Sequence, residues 1–529
     1  MKNSTNPKPN YSDKHITSQL VLPLDYSLLL EENDPIYSFN EIMNEVDLTD
    51  LEKEYNHLGR HSYDFRMMCK LVAYCYMNMI FSLRDMENAC KKNINLFLLT
   101  GGQTPSHKTI GEFIIYRLGD NIQTLFHRVF NKIKEKENID TTIAFIDGTK
   151  IQANANKYTF VWKKATIKYL DRLQDKISDA IKELNLFIML KYHKEFEVKE
   201  EYTPDDILCI LDWLKKTADE EDIVFVESSN RNKHPIQRLY MKFEGFAVKM
   251  KEYMIKIETC KDRNSYSKTD KDATFMHLKE DYYGGTNLFH AAYNIQLMVS
   301  DEYISHVGVY QTPGDTRTFI PLMEDYKKAY GELPLNPVAD AGYGSYDNYM
   351  YCIQNQLNLT MKFSTYSIEK SKKYTKNIFN KDNWYRDEAK GDYICPNFQR
   401  FKWKKDVEKK KGDYLRIDQI HSCGDKCLFC PLHAECTKST GSRMIKVNPV
   451  LEEMKEAVRQ NLGTEEGKEL KKRRSIEVEG AFGIIKSNWE YDRIHRRGKS
   501  RVENEMFWIC LGFNLRKYHN KKTSEKLLS

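Results

Sequence analysis

The chain has 529 residues, which exceeds one hydrophobic core and predicts roughly two to four domains. Its apolar content of 41% excludes a disordered protein, and its net charge of +6 (82 basic against 76 acidic residues) means that only local clusters can argue for a polyanionic partner. The sequence has no apolar run of roughly 18 residues and no apolar N-terminal signal, which predicts a cytoplasmic protein without a membrane partner. In such a protein the 12 cysteines are expected to be thiols or metal ligands.

The first part of the chain predicts an N-terminal arm, residues 1–45, and then a helical domain, residues 46–138. An apolar stripe with helical spacing begins at Phe65. The turn at Gly101–Ser106 leads into a helix that opens at His107 with polar and basic residues. Two interpretations remain open, a helix-turn-helix DNA-binding domain and an ordinary helical bundle.

Residues 139–364 are predicted to form the first part of an α/β core. One apolar strand ends on Asp147 and another ends on Asp340. A helical hairpin is inserted at about residues 163–262, with its second helix at about 236–260. Further strands are predicted at Phe289–Val299, Tyr303–Tyr310 and Leu357–Phe363. Strands that alternate with helices in this way describe a mixed sheet with at least one crossover.

A basic, cysteine-containing insertion, residues 365–462, interrupts this core before helices return at residues 463–529. Four of its cysteines are separated by three, two and five residues: Cys423, Cys427, Cys430 and Cys436. Four thiolates can bind tetrahedral Zn²⁺ and order a segment that has little apolar material. Cys395 and His433 are alternative ligands. The spacing leaves two interpretations open, a structural zinc ion and reduced thiols.

Two strand-end aspartates and a helix acid suggest a site for divalent metal ions. Carboxylates suit Mg²⁺ or Mn²⁺, and two such ions about 4 Å apart can cleave a phosphodiester. The third acid is Glu477 or Glu479, because at about 100° per residue both flank the buried stripe that contains Val478, on opposite sides. Glu479 shares its side with basic residues seven positions away in each direction, Lys472 and Lys486, but helical geometry separates the two glutamates only in part.

These motifs resemble those of bacterial insertion-sequence transposases of the DDE type. The resemblance rests on Ile146–Lys150, Lys157–Lys163, Ala339–Tyr343 and Val478–Phe482, with Lys486 seven residues after Glu479. The segment from Phe81 to Ile110 is similar to the helical N-terminal domain of one branch of that family. Relatives often carry Tyr and Arg seven and four residues before the glutamate, where this chain has Lys472 and Ser475, with Arg474 one position away.

The resemblance implies a ribonuclease H-like mixed-sheet core with the helical N-terminal domain, the inserted hairpin and the cysteine-containing insertion. It implies that Asp147, Asp340 and Glu479 hold two Mg²⁺ or Mn²⁺ ions. It further implies double-stranded DNA, as element ends and as target, and a bacterial protein that associates with the nucleoid when bound to DNA. Because the reaction brings two ends together, a homodimer on DNA is expected.

Basic side chains close to the predicted acids are the expected DNA contacts. They are Lys150, Lys472, Arg473, Arg474, Lys486, Arg496 and Arg497. The predicted function is therefore metal-dependent cleavage at insertion-sequence ends followed by strand transfer into target DNA. Two alternatives remain open: a metal-dependent DNA nuclease without strand transfer, and an inactive transposase derivative that only binds DNA.

Overall fold

The computed structural model describes residues 30–53, 62–227, 233–278, 289–410, 412 and 414–528. The chain divides into two compact units, the first made of Met1–Ile151 with Asn294–Ser529 and the second made of Gln152–Tyr293. Within the described ranges, no helix combines the length and the apolar character that crossing a membrane requires.

The first unit begins with helices and reaches its sheet at β1. The elements are α1 Pro35–Glu45, α2 Thr49–Lys53, α3 Phe65–Met77, α4 Leu83–Lys92, α5 Ile94–Thr100, α6 His107–Glu112, α7 Ile122–Glu137 and β1 Ile143–Gln152. The predicted arm is therefore wrong for its last part, because Asp34 caps α1 and this helix buries Phe39 and Ile42. Residues 1–29 of that arm lie outside the described residues.

The second unit is built around an insertion of helices. Its elements are β2 Phe160–Trp162, α8 Lys163–Tyr192, α9 Pro204–Glu220, α10 Pro235–Cys260, β3 Ser265–Ser267 and β4 Thr274–His277. The predicted hairpin is corrected to three helices in the described part of this unit. The additional helix is α9, whose start is fixed by a capping box between Thr203 and Asp206. Ile177, Leu211 and Phe243 bring the three helices into one apolar core.

β5 Phe289–Ser300 leads back into the first unit, where its later residues join the central sheet. β6 Tyr303–Tyr310, α11 Phe319–Tyr330, β7 Asn336–Ala339 and α12 Tyr346–Gln354 follow. β6 pairs with β5, β5 pairs with β1, and β1 pairs with β7. The β5–β6 pair is antiparallel and the β1–β7 pair is parallel. The predicted strand Leu357–Phe363 is wrong, because this segment, which lies within the described residues, forms no strand. It makes only isolated backbone hydrogen bonds near β7, such as that from Asn358 N–H to Leu335 O at 2.9 Å.

The cysteine-containing insertion has a sheet of its own, and helices follow it. The elements are α13 Lys372–Thr375, β8 Tyr385–Asp387, β9 Asp392–Ile394, β10 Arg400–Lys410, β11 Leu415–Ser422, α14 His433–Cys436, β12 Met444–Val447, α15 Pro449–Gly463, α16 Glu465–Gly483 and α17 Lys499–Leu528. The sheet order is β12-β11-β10-β9-β8.

The last helix explains why the N-terminal helices and the core form one unit. α17 packs against α1, α3, α7 and β6. A Cβ atom on Gly512 would lie 2.6 Å from the carbonyl carbon of Tyr76, so the backbones of α17 and α3 touch at this glycine. Trp508 of α17 is fully buried and stacks on Tyr76 at a centroid distance of 5.7 Å. The predicted boundary at residue 138 is therefore bridged by an apolar core.

A pair of histidines lies where α7 and β6 meet. His127 Nε2 and His306 Nδ1 are 3.1 Å apart, and the two rings are stacked beside Phe507. Burial lowers the pKa of His127 to about 4. The pKa of His306 is lowered well below its ordinary value, mainly by burial and to a smaller extent by the neighbouring His127. Both rings are therefore neutral at pH 7.

We expect this pair to make the fold sensitive to acid. A histidine whose pKa is lowered on folding stabilises the fold above the unfolded value, about 6.5, and this stability is lost as the pH falls toward 4. At pH 5, His127 should lower the free energy of unfolding by about 1–2 kcal/mol. Urea denaturation at pH 7 and pH 5 measures the loss, which should be smaller in His127→Phe; an identical loss in both proteins would contradict the assignment.

Candidate active site

Asp147 and Asp340 lie side by side on neighbouring parallel strands. The register pairs Ile146 of β1 with Ala339 of β7, and each aspartate is the next residue. Asp340 follows the last residue of its strand, as predicted. The prediction that β1 ends on Asp147 is wrong, because β1 continues to Gln152. The strand can continue because its other edge pairs with β5, whereas β7 has already ended.

Each aspartate is oriented by a glycine that follows it. Gly148 N–H donates to Asp147 Oδ1 at 2.8 Å, and Gly342 N–H donates to Asp340 Oδ1 at 2.7 Å. Gly148 has no room for a side chain, since a Cβ atom there would lie 2.0 Å from Gln296 Nε2. These bonds hold the two carboxylates at one edge of the sheet.

The structure separates the two candidate glutamates of α16. Glu477 is buried, accepts from the Glu302 N–H at 2.9 Å, and accepts from Arg473 Nε at 2.8 Å. Arg473 also binds Asp301, so Glu477 belongs to a structural ion-pair group at the β5–β6 turn. Glu479 has a side chain that is 60% exposed, on the other side of the buried stripe.

Arg474 connects the third acid to the first. Its Nη1 lies 3.6 Å from Asp147 Oδ2 and its Nη2 lies 3.4 Å from Glu479 Oε1. The residue is only 8% exposed. Nε and Nη1 have no hydrogen-bond partner among the described residues. A buried guanidinium with unused donors, placed between carboxylates, is suited to bind an anion such as a phosphate.

Sequence reasoning missed a further acid, a lysine and a tyrosine at this edge of the sheet. Asp315 Oδ2 and Asp340 Oδ1 both flank the same face of Gly342. Burial lowers the pKa of Lys362, helped by Arg474 and Lys471 and opposed by Asp340 and Glu479. The predicted strand Leu357–Phe363 contained Lys362 but gave no reason to place its ammonium group near the acids.

The missed tyrosine, Tyr343, is fully buried. Burial raises its pKa well above the ordinary value, and Asp147, Asp315 and Asp340 raise it further. Its hydroxyl donates to Gln296. The pKa of one buried phenol is therefore influenced by all three aspartates.

The predicted DNA contacts fall into two groups. Lys486 Nζ reaches Thr149 Oγ1 of β1 at 3.2 Å, and Arg474 faces the acids as described. Arg473 is instead engaged by Asp301 and Glu477 and also lies over the Phe145 ring. Lys472 and Arg497 are exposed, and Lys150 and Arg496 are partly exposed. Arg474 and Lys486 therefore both reach the acid edge.

Among the described residues, none of the four cysteines of the predicted zinc site forms a disulfide. Burial, together with neighbouring Cys427 and Cys395, raises the pKa of Cys423 to about 11. Arg443 donates to Cys436 Sγ at 2.8 Å and, through its backbone, to Cys427 Sγ at 3.4 Å. A zinc ion bound by Cys423, Cys427, Cys430 and Cys436 stays a prediction.

The acids match a hard divalent cation in kind, since Asp147, Asp340 and Asp315 offer only oxygen donors. Across the described ranges, no three His, Cys, Asp or Glu side chains form a group that could hold a metal ion. The third predicted ligand, Glu479, does not join the aspartates, because the Arg474 guanidinium stands between Asp147 and Glu479. The geometry therefore shows an adjacent aspartate pair with a glutamate linked to it through an arginine.

Two protein families match parts of the chain. Residues 394–519 match the family described as "Transposase DDE domain", and residues 25–115 match the family described as "Transposase domain (DUF772)". The first match contains Arg474 and Glu479, while Asp147 and Asp340 lie outside both ranges. Comparison with curated proteins gave no match, and comparison with solved structures gave none.

Proposed function

Because the chain belongs to the insertion-sequence transposases of the DDE type, we propose that it cleaves DNA at the ends of an insertion sequence and joins the freed 3′ ends to target DNA. The observation that carries the proposal is the pairing of Asp147 and Asp340 on adjacent parallel strands, with Glu479 linked to Asp147 through Arg474. We propose a ribonuclease H-like core, in agreement with the order β6-β5-β1-β7 and the parallel β1–β7 pair.

Asp147, Asp340 and Glu479 are the proposed ligands of two Mg²⁺ or Mn²⁺ ions. When bound, such ions make an attacking water or 3′-hydroxyl more acidic and stabilise the charge that builds up at phosphorus. The aspartates are presented by a rigid sheet, whereas Glu479 is exposed on α16 and must approach them. Water is the proposed nucleophile for cleavage of the element end, and the freed 3′-hydroxyl is the proposed nucleophile for joining to the target.

The basic side chains around the acids are proposed to hold the DNA backbone. Arg474 has unused buried donors that would be satisfied by a phosphate oxygen, and its move from Asp147 to the phosphate would free that carboxylate. Lys362 and Lys486 lie on the same edge and add positive charge. The proposed partners are the element ends and the target duplex, and a homodimer on DNA would bring the two ends together.

A strand-transfer assay tests the proposal. A short DNA duplex that spans the border of the insertion sequence, with flanking DNA on one side, is labelled within the element on the strand whose 3′ end cleavage would free. It is incubated with a supercoiled target plasmid and Mg²⁺. We expect covalent transfer of the labelled strand into the plasmid. Cleavage without joining would instead identify a nuclease, and binding without cleavage would identify an inactive derivative that only binds DNA. Either result would overturn the proposed function.

A further inference from the structure

Asp315 stands in the loop after β6, next to both glycines that orient the aspartate pair. A Cβ atom on Gly148 would lie 2.9 Å from Asp315 Oδ1. A Cβ atom on Gly342 would lie 3.0 Å from Asp340 Oδ1 and 3.6 Å from Asp315 Oδ2. Asp315 therefore reaches Gly148, the residue after Asp147 on β1, with one oxygen and the turn after Asp340 with the other.

Two buried amides fix this carboxylate. Asn294 Nδ2 donates to Asp315 Oδ1 at 2.8 Å, and Gln296 Nε2 donates to the same oxygen at 3.0 Å. Asn294 and Gln296 have no solvent exposure and lie two residues apart on β5, on one face of the strand. Burying two amides within the core of a sheet is costly unless they are bonded. Here their donors converge on one oxygen of Asp315, which leaves Oδ2 on the side of Asp340.

The loop of Asp315 is also tied to the loop of Asp340. Thr316 Oγ1 donates to Gly342 O at 2.7 Å, and Asn348 Nδ2 donates to Thr316 O at 3.0 Å and to Tyr343 O at 2.7 Å. These bonds hold the two loops at a fixed separation. A surface acid in a turn would not need this support, whereas a carboxylate that has to keep its place beside other carboxylates would.

A second feature at the same place points to a bound ligand. Arg474 is more than nine-tenths buried, and its Nη1 faces Asp147 Oδ2 at 3.6 Å. Its Nε and Nη1 have no hydrogen-bond partner among the described residues. Its unused donors call for an anion, and the carboxylates beside it call for a cation. A divalent cation carrying a phosphodiester satisfies both.

We propose that Asp315 is a fourth acidic residue of the divalent-cation site, beside Asp147 and Asp340. This inference rests on the proposed function, since it adds a residue to the same site. A third aspartate charge at this edge would strengthen cation binding, and its fixed Oδ1 leaves Oδ2 to face the ion or a water bound to it. The ligand class is Mg²⁺ or Mn²⁺ as part of a DNA complex.

The test is Mn²⁺ binding to the full-length protein, measured by electron paramagnetic resonance. Asp315→Asn keeps the shape of the side chain and an oxygen that can accept from Asn294 and Gln296, so folding should be preserved. We expect it to weaken Mn²⁺ binding by about 10- to 100-fold. Asp147→Asn should weaken it similarly, and Asp325→Asn, which removes an acid of α11, should leave it unchanged.

The variants separate two kinds of failure. Wild-type affinity in Asp315→Asn together with weakened binding in Asp147→Asn would overturn the role of Asp315 alone. Wild-type affinity in both variants would overturn the cation site itself and with it the proposed function. If Asp315→Asn does not fold, as judged by circular dichroism, Asp315→Ser removes the same charge with less bulk and is read in the same way.

Discussion

Replacement of Asp147 with asparagine is expected to abolish DNA strand cleavage and to leave the binding of element ends intact. Asparagine has the shape of aspartate and can still accept from the Gly148 N–H, but it brings no negative charge to a cation. We expect the cleavage rate to fall at least about a thousand-fold, which corresponds to about 4 kcal/mol in the activation barrier. Single-turnover cleavage of a labelled end measures the rate, and a gel-shift titration measures binding.

The matched control for this variant is Asp325→Asn. Asp325 lies on α11 in the same unit, and burial raises its pKa, so its charge is already disfavoured. Its replacement should leave cleavage unchanged. The melting temperature of Asp147→Asn should stay within a few degrees of the wild type, because asparagine keeps the shape of the side chain and the bond from the Gly148 N–H. Cleavage at the wild-type rate in a folded Asp147→Asn protein would contradict the proposed role.

The aspartate pair was predictable because each member follows a short apolar strand, and such strands are recognised from local sequence. The length of β1 was not predictable in the same way. After Asp147 the residues become polar, as in a turn, yet β1 continues because β5 supplies hydrogen bonds along its other edge. The opposite error occurred at Leu357–Phe363, where an apolar run with strand character found no regular partner. Partners in a sheet are set by the tertiary fold, which short sequence windows do not contain.

Asp315 and Lys362 were missed for a related reason. Asp315 follows Pro313 and Gly314, which is typical of an ordinary turn, and nothing nearby in the sequence indicates the amides that hold it. A signal did exist in β5, where Asn294 and Gln296 place two amides on one face of an otherwise apolar strand. Buried amides on a core strand predict a polar partner, but only the fold shows that the partner lies beside Asp340.

The helix of the third acid shows how far periodicity alone can go. Helical geometry predicted that Val478 is buried and that the two glutamates flank it on opposite sides, and Val478 is fully buried. It could not decide which side faces the aspartates, because that depends on how α16 docks on the sheet. The contacts of the two glutamates differ. Glu477 accepts hydrogen bonds from Arg473 and from the Glu302 N–H, while Arg474 links Glu479 to Asp147.

Glu477→Gln and Glu479→Gln are therefore expected to fail in different ways. The side chain of Glu479 is 60% exposed and makes one long contact, to Arg474, so its loss should not change the free energy of unfolding measurably. Loss of its charge should lower the cleavage rate by about 100- to 1,000-fold, as expected for a group that acts only in the reaction. Binding of element ends should be retained.

Glu477→Gln should instead lower stability and spare the chemistry. The side chain of Glu477 is 5% exposed and pairs with Arg473. In the variant, Arg473 would keep its ion pair with Asp301 but lose its buried charged partner. Loss of one charged partner in a buried group should cost about 1–3 kcal/mol of unfolding free energy. Urea denaturation and single-turnover cleavage on the same preparations give both quantities for each variant. A stable but inactive Glu477→Gln, with an active Glu479→Gln, would assign the third acid to Glu477 and reverse our proposal.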